Sequence, residues 1–322
     1  MQPLQIPQTG IDLVSAYDRI RTKLDGTRAV LLDGATGSEL VRRGTRWRWH
    51  GLRTDPYQVE ALHREYIAAG ADVIRTNTFQ LNRRIYLNVF RDADHMRHIG
   101  APGVEGRAQE LTLRATEVAR SARDAAGRDV AIAGVMSPLE HCFRPDLAPP
   151  EQEALPEHAE TARQLVIGRV DLLLLESMNT VGEARAAARA ALETGLPVWA
   201  SFVLGPEGQI LSGERLTDGV RALEELGVDV ILVNCAPPED VSGILKGLLS
   251  AAQRPVGAFA QIGRFNPPSW KFEFHPQFAG TETWPAERYA KVAHGWVEAG
   301  VRVVGGCCGT TPDHIRALKE VM

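Results

Sequence analysis

The stretch AGADVIRTNTF (69–79) joins three features that recur along the chain and indicate its fold. A helical segment ends at a glycine, a short run of apolar residues follows, and polar side chains come directly after that run. The same arrangement appears in LGVDVILVNC (226–235) and in AGVRVVGGCC (299–308). A short apolar run bounded by turn residues is typical of a buried parallel strand. The stretch therefore predicts the helix-to-strand junctions of a parallel α/β fold.

Eight apolar runs of this kind predict eight strands. They are AVLLDGAT (29–36), ADVIRTNTF (71–79), VAIAGVMSP (130–138), VDLLLLESM (170–178), PVWASFVL (197–204), VDVILVNCA (228–236), PVGAFAQI (255–262) and VRVVGGCCG (301–309). Helix-forming segments separate them, and the glycines that fit helix C-caps are Gly70, Gly195, Gly227 and Gly300. An open doubly wound sheet has the same alternation, but eight units in about 300 residues favour a closed (β/α)8 barrel.

We predict that residues 1–322 form a single domain. The barrel begins at about residue 28, and an extra helix over about residues 10–26 covers its bottom. The chain is 44% hydrophobic and 24% charged, with a formal net charge of −4. Mild acidity without a basic stripe argues against nucleic acid. The sequence has no run of 18 apolar residues and no signal-peptide pattern, and it has only four cysteines, so we expect a cytoplasmic protein without a membrane partner. No feature specifies an oligomeric state.

Polar residues collect at the predicted carboxyl ends of the strands, where barrel enzymes carry their chemistry. These residues are Asp33, Thr76, Asn77, Glu176, Asn234, Cys235, Cys307 and Cys308. Any strand becomes polar at its end, so each residue alone is weak evidence. Their shared location makes them candidates for one site.

Two adjacent cysteines, Cys307 and Cys308, end the eighth run, and Cys235 ends the sixth. A disulfide between neighbours is strained, whereas the glycines before them give the backbone freedom to aim both thiols inward. Three thiols with one open position describe a catalytic zinc site. The alternative is that they are small buried thiols. Cys142 follows the third run without a neighbouring thiol and is predicted to be a bystander.

The motifs GGCCGTTPDHI, VNCAPP, LLDGATGSELVRRG and GADVIRTNTFQLN together resemble the homocysteine S-methyltransferase family. That family includes S-methylmethionine- and betaine-dependent enzymes and the homocysteine module of cobalamin-dependent methionine synthase. The resemblance runs from about residue 29 to the C-terminus. It implies a zinc-dependent methyltransferase of methionine synthesis that acts on homocysteine. It also implies a barrel fold, in agreement with the independent count of eight runs.

The resemblance implies roles for individual residues. Cys235, Cys307 and Cys308 match the zinc ligands. Asp33 and Glu176 match the positions that face the homocysteine ammonium, with Asn234, Thr76 and Asn77 also in the substrate region. A turn residue is the alternative for Asp33, and a strand-end ion pair is the alternative for Glu176.

The methyl donor is expected to be a small cation, with S-methylmethionine or S-adenosylmethionine preferred and betaine second. Aromatic faces attract such cations. Two aromatic loops, RWRWHG (46–51) and the segment after the seventh run, supply the candidates Trp47, Trp49 and Trp270. Their alternative role is packing on the barrel rim.

The chain departs from the family at two places. Cobalamin-dependent relatives often have Glu in the Glu-Thr-Asn-Thr-Phe motif where this chain has Arg75, and the Tyr-Pro-Asn of many relatives is absent from the 263–284 loop.

Three alternative functions stay open. The chain is a homocysteine-activating subunit that takes its methyl group from a corrinoid protein, or it acts on another small methylated compound with another thiol, or it is a zinc- or thiol-binding barrel without catalysis.

Overall fold

Eight parallel strands and the helices between them form a barrel in the computed structural model, which describes residues 16–45, 48–87, 103, 106–266 and 277–322. The barrel strands are β1 (Val30–Leu31), β2 (Val73–Arg75), β3 (Ala131–Met136), β4 (Leu172–Met178), β5 (Val198–Val203), β6 (Val230–Asn234), β7 (Val256–Ala260) and β10 (Val303–Gly306). Each of them lies inside one of the eight predicted runs, so the predicted strand count is confirmed.

The strands are hydrogen-bonded in the order β1-β10-β7-β6-β5-β4-β3-β2. A parallel bridge between Leu32 and Val73 joins the two ends of that order. The backbone N–H of Asp33 donates to the carbonyl of Val73 at 3.0 Å, which continues the ladder. The sheet therefore curls into a ring, and the predicted (β/α)8 fold is confirmed.

Helices cover the outside and the bottom of this ring. They are α1 (Ala16–Asp25), α2 (Gly37–Arg42), α3 (Pro56–Ala69), α4 (Arg83–Leu87), α5 (Arg107–Ala126), α6 (Glu151–Ile167), α7 (Val181–Leu192), α8 (Leu216–Leu226), α9 (Pro238–Ala251), α10 (Ala286–Ala299) and α11 (Pro312–Val321). Alternate strand residues such as Ile74 and Ile132 face these helices, while Val73 and Ala131 point into the barrel interior. This two-residue alternation produces two separate cores, as the pleat of a strand requires.

Helix α1 packs against the residues that begin the strands. Its Tyr17, Ile20 and Leu24 are buried in the interior cluster. Trp199 at the start of β5 donates its indole N–H to the Tyr17 hydroxyl at 3.1 Å. The predicted extra helix therefore covers the bottom of the barrel, and residues 10–15 of the predicted helix lie outside the described residues.

Three of the four predicted glycine caps are confirmed. Gly70, Gly227 and Gly300 follow α3, α8 and α10 with φ values of 112°, 98° and 119°, which favour glycine. The prediction for Gly195 was wrong, because α7 ends at Leu192 with Glu193 as its C-cap. Gly195 lies beyond that cap, with a φ of 77°.

The loop after β7 contains a short antiparallel hairpin that the sequence pattern did not predict. It pairs β8 (Arg264–Asn266) with β9 (Gln277–Ala279), and the connecting segment lies outside the described residues. Short 3-10 turns occur at Arg48–Gly51, Pro145–Leu147, Pro206–Gly208 and Thr281–Thr283. Within the described ranges, no helix combines the length and apolarity needed to cross a membrane.

Candidate active site

Three cysteine sulfurs meet at the carboxyl end of the barrel. The Sγ atoms of Cys235, Cys307 and Cys308 all lie within 4.8 Å of one another, and Cys235 Sγ is 2.9 Å from Cys307 Sγ. Cys235 and Cys307 are buried, whereas Cys308 is partly exposed. Strands β6 and β10 are parallel and have only β7 between them. The cysteines that follow these strands, Cys235 and Cys307, therefore meet although they are 72 residues apart in sequence.

Two features of the backbone set this geometry. Gly306, directly before Cys307, has no room for a side chain, because a Cβ there would lie 2.2 Å from Thr310 Oγ1. Its φ is not positive, so small size rather than conformational freedom explains this glycine. Cys235 has a φ of 50°, and Ser177 after Glu176 has a φ of 63°. Such values cost a non-glycine residue free energy and are common at functional sites.

Polar donors point at the sulfurs. The side-chain amide of Asn234 lies 2.7 Å from Ser177 Oγ and donates to it, and it also reaches Cys235 Sγ at 3.3 Å and Cys307 Sγ at 3.8 Å. Hydrogen bonds from the thiols of Cys235 and then Cys308 hold the pKa of Cys307 well below its ordinary value. The cluster therefore stabilises negative charge on sulfur.

The sulfur cluster is able to hold a metal ion. A tetrahedral zinc site has Zn–S distances of about 2.3 Å, which separate its sulfur ligands by about 3.8 Å. The three sulfurs, all within 4.8 Å of one another, can reach a single ion of that size. Three thiolates leave a fourth tetrahedral position for a further ligand, and the exposed side of Cys308 faces the cavity.

A buried ion network lies beside the cluster. Arg75, at the end of β2, donates from Nε to Asp33 Oδ1 at 2.7 Å and from Nη1 to both carboxylate oxygens of Glu176 at 3.2 Å. Its Nη2 donates to the carbonyls of Gly34 and Gly306, each at 2.7 Å. The guanidinium carbon lies 5.0 Å from the centroid of the Phe259 ring. The two carboxylates predicted to face an ammonium group thus contact a guanidinium.

Burial and charge act against each other in this network. Burial raises the pKa of Glu176 to about 7, an effect that Arg75 opposes and the Cys307 thiolate reinforces. Burial pulls the pKa of Arg75 down, but the carboxylates of Glu176 and Asp33 outweigh it, so its pKa lies above the ordinary value. Arg75 is therefore a cation at any physiological pH.

A cavity of about 830 Å³, including its open mouth, lies above the sulfurs and the guanidinium. Arg75, Glu176 and the three cysteines form part of its wall. Further residues that line it are Thr76, Asn77, Phe79, Gln80, Ser38, His141, Cys142 and Phe143. Asp33 is fully buried behind Arg75 and does not line the cavity among the described residues.

The other predicted site residues occupy different positions around this cavity. Thr76 and Asn77 line it, although Thr76 Oγ1 accepts from the backbone N–H of Val135 and Asn77 Nδ2 donates to the carbonyl of His50. Asn234 is fully buried under the sulfurs. Cys142 lies in the cavity wall, outside the metal-binding trio found among the described residues, and burial raises its pKa to about 12.

Most of the predicted aromatic donor pocket lies outside the described residues. Trp47 and Trp270 lie outside the described residues, and only the backbone of Trp49 is described, in a 3-10 turn. The structure instead brings Phe79 and Phe143 to the cavity wall, which the sequence reasoning missed. The signal for Phe143 was available, because EHCF (140–143) lies in the loop after the third strand, which ends at Met136.

The sequence profile of the homocysteine S-methyltransferases matches residues 30–322. The chain belongs to the homocysteine S-methyltransferase family. It is 29% identical to the methionine synthase of Mycobacterium tuberculosis over 95% of its own length, but it spans only 26% of that protein. It is 27% identical to betaine–homocysteine S-methyltransferase 1 of Bos taurus, with 94% of this chain and 74% of that protein covered.

Solved structures agree on the fold. The homocysteine methyltransferase MmuM of Escherichia coli, in its metallated form, superposes with a TM-score of 0.76 at 24% identity and covers 94% of this chain and 99% of MmuM. Its apo form gives a TM-score of 0.70 at 25% identity. The two proteins therefore share the barrel fold along nearly the whole of both chains.

Proposed function

We propose that this chain transfers a methyl group from a small activated donor to the thiol of homocysteine, giving methionine, with zinc held by Cys235, Cys307 and Cys308. The observation that carries the proposal is the convergence of three cysteine sulfurs on the floor of a cavity at the carboxyl end of a barrel. Membership of the homocysteine S-methyltransferase family supports homocysteine as the acceptor.

Zinc suits this donor set better than magnesium or calcium, because it binds thiolates whereas those ions prefer oxygen ligands. When bound, it would deprotonate the acceptor thiol and keep its sulfur nucleophilic at neutral pH. All four cysteines are free, which is compatible with a reduced site. We also propose a cytoplasmic location, because thiolates stay reduced there.

The chain's own residues would prepare the reaction. Asn234 and Ser177 direct hydrogen bonds toward the sulfurs from below, which leaves the cavity side open to the acceptor. The left-handed backbone at Cys235 aims its thiol at the same point. Holding donor and acceptor in line can supply roughly 7–11 kcal/mol of a barrier. The methyl group then passes from the donor to the acceptor sulfur as the bond to its leaving group breaks.

A small cationic donor is supported by the cavity wall. Phe79 and Phe143 present aromatic rings, and each such face attracts a sulfonium or quaternary ammonium group by about 0.5–2 kcal/mol. S-methylmethionine or S-adenosylmethionine is our first choice and betaine our second. Transfer from a cation to an anionic sulfur neutralises both, which a cavity with little water favours.

The proposal is tested by a donor panel. Zinc-loaded protein is incubated with homocysteine and S-methylmethionine, S-adenosylmethionine, betaine or a methylated corrinoid protein, and methionine is measured by mass spectrometry. Turnover with at least one of the three small cations is expected. Similarity to about a quarter of the length of methionine synthase keeps the corrinoid protein as the second candidate donor. Turnover with the corrinoid protein alone would mean that the chain is a homocysteine-activating subunit rather than an enzyme that uses a small cationic donor.

A further inference from the structure

Arg75 sits where the cavity wall would otherwise present two carboxylates to a ligand. The side chains of Asp33 and Glu176 come from the ends of different strands and meet at one guanidinium. Asp33 is fully buried, and Arg75 is 5% exposed. Any cationic group on a substrate therefore reaches the guanidinium and the outer face of Glu176, but not Asp33.

Every nitrogen of the guanidinium donates to an acceptor. Nε donates to Asp33, Nη1 donates to the Glu176 carboxylate, and Nη2 donates to the backbone carbonyls of Asp33, Gly34 and Gly306. The Phe259 ring supports its face. A guanidinium donates from three nitrogens, and all three have acceptors here. Displacing this side chain would strand a cation inside the barrel, so a ligand cannot readily take its carboxylates.

The same contacts decide the charge that a ligand meets. Glu176 is the sole Asp or Glu side chain among the cavity-lining residues that the structure describes, and it already forms an ion pair with Arg75. An ammonium group brought to Glu176 would lie beside the guanidinium, and like charges at such distances repel. A thiol without an ammonium group avoids that repulsion and leaves every hydrogen bond of the network intact.

We infer that Arg75 is a specificity-determining residue that stands in for the acceptor's ammonium, so that this chain accepts thiols lacking an α-amino group at least as well as homocysteine. The acceptor class is an aliphatic thiol whose carbon chain carries no cation. The inference rests on the proposed function, because it concerns the acceptor of the same methyl transfer.

The test compares homocysteine with 4-mercaptobutyrate, which has the same carbon chain, thiol and carboxylate but no amino group. Calorimetry on the zinc-loaded protein gives the dissociation constant of each thiol, and methyl transfer from the active donor gives each kcat/KM. We expect 4-mercaptobutyrate to bind as tightly as homocysteine or more tightly. A tenfold or larger preference for homocysteine would overturn the inference and leave the proposed function standing. Binding of neither thiol would overturn both.

A substitution then assigns the effect to the guanidinium. In Arg75→Gln the two carboxylates lose their cation, so the affinity ratio should move at least tenfold toward homocysteine. Arg84→Gln is the matched control. Arg84 also forms ion pairs with carboxylates, the shortest of them with Glu157, but it is not among the described residues that line the cavity. Its ratio should equal that of the wild type. An unchanged ratio in Arg75→Gln would show that the guanidinium does not set acceptor choice.

Discussion

Asp33→Asn removes one negative charge from the buried end of the Arg75 network while nearly preserving shape. Asp33 Oδ1 accepts from Arg75 Nε at 2.7 Å, and its Oδ2 accepts from the backbone N–H of Arg75 at 2.9 Å. An asparagine keeps one of these acceptors and turns an amide N–H₂ toward the other donor. Breaking a buried ion pair costs about 3–5 kcal/mol, and we take about 3 kcal/mol because Glu176 still pairs with the guanidinium.

The assay is thermal unfolding followed by circular dichroism at pH 7. With an unfolding entropy of about 2.1 cal/mol/K per residue, about 3 kcal/mol lowers the Tm of this chain by about 4 °C. Asp171→Asn is the control, because Asp171 also accepts from a backbone N–H and pairs with an arginine, but its side chain is 23% exposed. We expect a loss of about 1 kcal/mol there.

An equal loss of Tm in the two variants would contradict this prediction. Burial raises the pKa of Asp33 while the guanidinium opposes that rise. If Asp33 were protonated in the folded protein, its replacement by asparagine would cost little. The comparison therefore asks directly whether the carboxylate behind Arg75 is an ion.

Two further predictions follow from buried side chains. Burial, reinforced by Arg75, lowers the pKa of His63 to about 4, so the folded protein binds fewer protons than the unfolded chain between about pH 6.5 and pH 4 and loses stability as the pH falls through that window. Neither ring nitrogen of His63 has a hydrogen-bond partner among the described residues, so His63→Leu should raise the free energy of unfolding and the Tm. The increase in the free energy of unfolding should itself grow by about 2 kcal/mol between pH 8 and pH 5. A difference between variant and wild type that does not depend on pH would contradict this prediction. Elemental analysis should find one zinc per chain in Cys142→Ser, as in wild type, and little in Cys308→Ala; loss of zinc from folded Cys142→Ser would mean that the ligand set is wrong.

The strands and the sulfur cluster could be predicted from sequence because their signals are local. Each apolar run is short and bounded by turn residues, and the carboxyl ends of parallel strands must meet at one end of a barrel. That rule brings Cys235 to Cys307 without any knowledge of side chains. It also brings Thr76 and Glu176 to the same cavity.

The partners of polar side chains could not be predicted in this way. Arg75 was visible as a departure from the family motif, but its contacts lie 42 residues away at Asp33 and 101 residues away at Glu176. The partner of a long side chain depends on its rotamer and on its burial. The pattern of apolar residues in the sequence predicts neither of these. The role of Gly306 likewise depends on the approach of Thr310.

The proposed function depends on three cysteines that hold zinc with one position open to the acceptor thiol. Zinc K-edge X-ray absorption on the zinc-loaded protein, with and without an acceptor thiol, tests it directly. Without thiol we predict three sulfur neighbours at about 2.3 Å and one lighter oxygen or nitrogen neighbour. With thiol we predict four sulfur neighbours. A site with two or fewer sulfur neighbours, or one that does not change when thiol is added, would contradict the proposed zinc site.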